Sequence, residues 1–123
     1  MIYMDNAATS RPKPEVTYQV MDDFMRDNGA SPGRSGHSLS IKAGRCIYET
    51  REAVAQVFGV ENPLRIIFTS GATEALNLVV NGILRPGDHV ITSGMEHNSV
   101  MRPLRDMESK GVDVTVVPCS RAG

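Results

Sequence analysis

Two short runs hold residue types that could do chemistry. The first is Thr69-Ser70-Gly71-Ala72-Thr73-Glu74. Its small side chains leave the backbone open to close approach. A helix that begins here points free N–H groups and a positive end outward, so an anion, phosphate above all, is stabilised there. The Thr73 hydroxyl offers one more hydrogen bond. The second run is Glu96-His97-Asn98, an imidazole beside an amide. Each has a plain alternative. The first can be an ordinary strand-to-helix turn capped by Ser70 or Thr73, and His97 can be a loop histidine near a helix cap.

The elements around these runs decide whether they meet. Ile66 to Phe68 is short, apolar and β-branched, as a buried strand should be. Ala75, Leu76, Val79, Val80 and Ile83 then recur at helical spacing. Pro86-Gly87-Asp88 makes a turn, and His89 to Thr92 reads as a second strand with His89 at its edge. Asn98 can cap a helix with Val100, Met101, Leu104 and Met107 on one side, shortened or kinked by Pro103 and ended by Gly111. Val112 to Val117 is a third strand, closed by Pro118. Strand, helix, strand, helix, strand predicts an α/β fold with a parallel sheet. Ligands of such sheets sit beyond the carboxyl ends of the strands. The Gly71 turn and the His97 loop both fall at that edge, which makes a pocket of two otherwise separate features.

The upstream part reads as an arm, a helix and a loop over residues 1–38, ahead of an α/β part over 39–123. Asp5-Asn6-Ala7-Ala8 is turn chemistry with a low-relief backbone. Pro12 and Pro14 suit a helix start, and Val16, Val20 or Met21, and Phe24 carry the helix to about Met25. Residues 28–37 form a breaker-rich loop bearing Arg34 and His37, which are candidates for a site in what can equally be a plain connection. Ser38 or Ser40 can cap the next helix, which Gly59 ends in the left-handed conformation.

The totals exclude several classes. With 41% hydrophobic and 22% charged residues, the 123-residue chain is globular in composition and long enough for one modest domain. A formal net charge of −1 without a basic cluster argues against a general nucleic-acid or membrane-surface binder. No apolar run approaches the roughly 20 residues that span a bilayer, and no secretory signal is visible. Cys46 and Cys119 lie far apart, which fits a reducing cytoplasm and two buried thiols better than a disulfide or a metal site. His37, His89 and His97 lack zinc-ligand spacing, so no metal is expected.

Met4-Asp5-Asn6-Ala7-Ala8-Thr9, Thr69 to Asn77, and Glu96-His97-Asn98-Ser99-Val100 closely resemble, in order and separation, segments of the class V aminotransferase family, nearest to its cysteine desulfurase branch. The resemblance implies a fold type I large domain that binds pyridoxal 5'-phosphate (PLP). It implies that Gly71, Ala72 and Thr73 hold the cofactor phosphate. His97 stacks on the pyridine ring and assists proton transfer. Asn6, Ala7 and Ala8 line the substrate side. Arg34 and His37 match a loop that in related enzymes reaches the neighbouring subunit of a homodimer. The implied reaction moves sulfur from L-cysteine, giving alanine. A sulfur-acceptor protein and iron–sulfur cluster biogenesis belong to that picture. An aminotransferase, a selenocysteine lyase, a non-catalytic phosphate- or nucleotide-binding module and a bare assembly fragment are the alternatives. The nucleotide module lacks either glycine-rich signature of such sites.

Family members are far longer, and the resemblance covers their N-terminal part. Their Schiff-base lysine, the aspartate facing the pyridine nitrogen and the sulfur-taking cysteine lie downstream. Lys13, Lys42 and Lys110 do not follow a strand as that lysine should, and neither Cys46 nor Cys119 matches the cysteine. In the family's larger sheet the first strand lies at one end and the next two at the other, so these residues alone should bury a core poorly. The 123-residue chain by itself is expected to show no desulfurase or transaminase activity. Borohydride trapping of PLP at one specific lysine, with turnover, would refute this.

Overall fold

Proline's fixed φ suits a helix start, and Pro14 stands at the N-cap of α1 (Glu15–Asp27). The computed structural model describes residues 2–33 and 35–120. They belong to two units, one running to Ile67 and the other from Phe68 onward.

The first unit contains α1, α2 (Ser38–Phe58) and a short 3-10 turn, Pro63–Arg65. α2 buries only small side chains, Ser40, Ala43 and Ala55. The Ser40 hydroxyl donates to the Ser31 carbonyl at 3.0 Å, which ties the preceding loop to the helix. Gly59 ends α2 at φ 65, the left-handed conformation that the sequence predicts for it. No residue of α1 is buried, and its Val20, Met21, Phe24 and Met25 share an open apolar groove with Cys46.

The second unit is built from α3 (Ala72–Ile83), β1 (His89–Ser93), α4 (Asn98–Ser109) and β2 (Asp113–Val117). β1 and β2 pair in parallel, with His89 opposite Asp113 and Ser93 opposite Val117. The pairing is extended at both ends: Gly87 donates to the Gly111 carbonyl at 2.7 Å, and Gly94 to the Val117 carbonyl at 2.9 Å. α4 packs on both α3 and β2. Its Leu104 and Met107, with Val112 before β2, are buried as the helical spacing predicts. Pro103 does not shorten α4, which runs on to Ser109. The proline is the sixth of twelve helical residues; it removes the bond to the Ser99 carbonyl, and its buried ring packs against the rest of the unit.

Three expectations are corrected. Ile66 to Phe68 is not a strand; among the described residues the sheet is β1 and β2, and Ile67 is 66% exposed. A strand exists through its partner, and β1 and β2 pair with each other. Cys46 and Cys119 are free but exposed, because Cys46 faces the open groove and Cys119 lies beyond β2. The helix caps are also reassigned, as described with the site below. The expected shortage of enclosed core is present: the buried hydrophobic residues among those described are Ala43, Ala55, Leu104, Met107 and Val112.

Leu104 is 2% exposed and Ile83 is 67% exposed. Leu104→Ala is therefore expected to lower unfolding free energy by about 2–5 kcal/mol, and Ile83→Ala by no more than about 0.5 kcal/mol. Urea unfolding of the two variants checks the contrast, and equal losses would contradict this core.

Candidate functional site

The first four N–H groups of a helix have no partner inside it. In α3 they also lack a capping side chain: the N-cap is Gly71, and neither Ser70 nor Thr73 caps the helix. The turn is held by other bonds. The Thr69 hydroxyl donates to the Gly71 carbonyl at 3.0 Å. The Ser70 hydroxyl and the Ser70 N–H both donate to Glu74 Oε2, each at 2.7 Å. The Asn77 amide donates to the Thr73 carbonyl at 2.8 Å. A Cβ placed on Gly71 would meet nothing within 4 Å, so the space before the helix is open. The N–H groups of Gly71, Ala72 and Thr73 are thus presented with no acceptor among the described residues.

Hydrogen bonds from the Ser70 hydroxyl, and then from its amide, hold the Glu74 carboxyl below its usual range. A carboxyl lowered in the folded state contributes stability above its ordinary pKa. That contribution is lost as pH falls through the lowered value.

The second half of the site lies past the carboxyl end of β1. Ser93 donates to the Glu96 carboxylate at 3.3 Å in the turn. His97 then caps α4: its Nδ1 accepts from the Ser99 N–H at 3.1 Å and lies 2.9 Å from the Ser99 hydroxyl. Asn98, expected as the cap, is the first helical residue instead. The imidazole nitrogen takes the place of the usual side-chain oxygen. This engages Nδ1 and leaves Nε2 outside the cap.

One cavity of about 350 Å³ is lined by Thr73, Asn77, His97, Asn98, Ser99, Arg102 and Pro103. Thr73 and His97 are therefore brought together, with Gly71 and Ala72 in the same turn as Thr73. Asn77 and Arg102 were missed from the sequence. The available signal was helical spacing, since each lies four residues after a site residue, Thr73 and Asn98, and so shares its face. Arg102 is the formally charged side chain of the described lining and makes the cavity suitable for an anion.

The remaining candidates belong to the first unit. Asn6, Ala7 and Ala8 form an exposed turn in which Asn6 Oδ1 accepts from the Arg11 N–H at 3.0 Å. His37, rather than Ser38 or Ser40, caps α2, its Nδ1 accepting from the Ser40 N–H at 3.2 Å. Arg34 lies outside the described residues. Lys13 donates to Thr9 and Ser10, and Lys110 pairs with Asp106 at 2.6 Å; no lysine lines the cavity. Among the described residues no group of three or more His, Cys, Asp or Glu is placed to hold a metal, and no helix is long and apolar enough to cross a membrane.

The sequence pattern of the family described as Aminotransferase class-V matches residues 2–123. A cysteine desulfurase IscS of Dictyoglomus turgidum is 35% identical over 99% of this chain and 31% of its own length. A probable cysteine desulfurase of Methanothermobacter thermautotrophicus is 34% identical over 99% of this chain and 30% of its own. Among solved structures, an apo cysteine desulfurase from Thermococcus onnurineus NA1 superposes with a TM-score of 0.81 at 32% identity, covering 94% of this chain and 30% of that one. The chain thus spans about three tenths of the length of these relatives.

The cap role of His97 can be separated from any role of its ring. His97→Ala should cost about 0.5–2 kcal/mol in urea unfolding, whereas His97→Asn, which keeps a capping acceptor, should recover most of it. Equal losses in the two variants would show that Nδ1 does not hold the start of α4.

Proposed function

The chain belongs to the class V aminotransferase family; on that premise we propose that it is the N-terminal part of a PLP-dependent cysteine desulfurase. The observation that carries the reading is the open first turn of α3 beside His97 and Arg102 in one cavity. The names of the relatives and their coverage of nearly the whole chain support the reaction class.

The residues present fit the cofactor. The N–H groups of Gly71, Ala72 and Thr73, with the Thr73 hydroxyl, hold its phosphate at the positive end of α3. Arg102 adds a cation on the same side. His97, fixed at Nδ1 by Ser99, lays its ring along the pyridine and keeps Nε2 for moving a proton at the substrate. PLP, when bound, supplies an electron sink for the bonds that break at the substrate's carbons. The resemblance assigns Asn6, Ala7 and Ala8 to the substrate side, and Arg34 and His37 to a loop that reaches the neighbouring subunit of a homodimer. The substrate is L-cysteine, and the sulfur passes to an acceptor protein in the cytoplasm, toward iron–sulfur clusters.

A visible-absorbance titration of the full chain with PLP, and with ATP as a control, tests this. PLP should bind and ATP should not. Thr73→Ala should weaken PLP binding about tenfold, as loss of one hydrogen bond to a charged group does. Binding of ATP in place of PLP would overturn the reading.

A further inference from the structure

Glu74 lies next to the phosphate-binding turn yet points its charge back along the chain. Both donors of Ser70 reach the same oxygen, Glu74 Oε2, at 2.7 Å. A serine at an N-cap ordinarily turns its hydroxyl to the first N–H groups; Ser70 stands one residue before the Gly71 N-cap, within reach of the same turn. Here that hydroxyl is engaged by Glu74, and α3 is left without a side-chain cap.

We propose that Glu74 is a positioning residue for the cofactor phosphate: it ties Ser70 back so that the N–H groups of Gly71, Ala72 and Thr73 stay open. The proposal rests on the reading of this turn as the phosphate site. Its physics is a division of labour at one helix end. A carboxylate in the first turn interacts favourably with the helix dipole, which offsets the lack of a cap. Because that carboxylate is spent on Ser70, it does not occupy the three N–H groups beyond. The Thr69 hydroxyl, bonded to the Gly71 carbonyl, holds the turn from the other side. The rival arrangement is a competitor, in which Glu74 is a stand-in anion that phosphate must displace. The two differ in sign: removing a positioning residue weakens phosphate binding, and removing a competitor tightens it.

The test uses the full chain with Glu74→Ala and Glu74→Gln, and has two readouts. In the absorbance titration, Glu74→Ala should weaken PLP binding by about tenfold, and Glu74→Gln, which keeps one acceptor oxygen, should recover part of the loss. In amide exchange without cofactor, Glu74→Ala should speed exchange at Ser70, leaving Val114 and Val116 of β2 unchanged. Unchanged or tighter PLP binding in Glu74→Ala, beside normal binding by the unsubstituted protein, overturns the inference alone. Faster exchange throughout β2 also overturns it, because Glu74 would then be a general stabiliser. If the unsubstituted protein binds no PLP, the reading of the site falls and this inference falls with it.

Discussion

A helix start presents N–H groups that something must meet, and how each start in this chain is met orders the rest of the structure. α2 and α4 are each closed by a histidine Nδ1, and the 3-10 turn by the Asn62 side chain. α1 begins at Pro14, whose fixed φ sets it up. α3 differs, because a glycine stands at its N-cap and the nearest carboxylate is turned onto Ser70. Donors are thereby left without an acceptor among the described residues, in a turn whose Thr73 lines the cavity with His97 and Arg102.

His97 belongs to the fold as much as to the site. An acceptor at Nδ1 requires that nitrogen to be unprotonated, so a neutral ring carries its proton on Nε2. The Ser99 N–H makes that assignment at 3.1 Å. One bond therefore closes α4, orients the imidazole and selects its tautomer. Because α4 also packs on α3, the histidine and the open turn are positioned by the same pair of helices.

The parts legible in the sequence were those written in local chemistry. Gly59 could be read because a left-handed cap favours glycine, and Leu104 and Met107 because helical spacing puts them on one face. Thr73 and His97 do line one cavity, but the strand at Ile66 to Phe68 that the sequence reading used to join them is absent, and the contact between α3 and α4 joins them instead. What escaped was set by competition or by distant partners. Ser38, Ser40 and Asn98 are all good caps by type, yet an imidazole one residue before each helix took the role. Ile66 to Phe68 has strand composition, but composition supplies no neighbour. The cysteines were misjudged because burial depends on what encloses a residue, and Cys46 opens onto a groove. Arg102 and Asn77 are not legible as site residues by type, because an arginine or an asparagine on a helix is usually a solvated side chain.

The weakly enclosed core follows from the sheet. A parallel pair is stable when helices or further strands cover both faces and both edges. In the second unit α4 packs on β2, where Val114 and Val116 are half-buried, whereas Ile91 of β1 is 67% exposed. Leu76, Val80, Ile91 and Val117 border one open apolar hollow. An exposed apolar surface of this kind marks a place where further protein or ligand surface can pack. The cavity with Thr73 and His97 is a different case, because its walls come from α3 and α4, which pack on each other directly. The geometry of the Gly71 turn therefore depends on the contact between two helices and their starts.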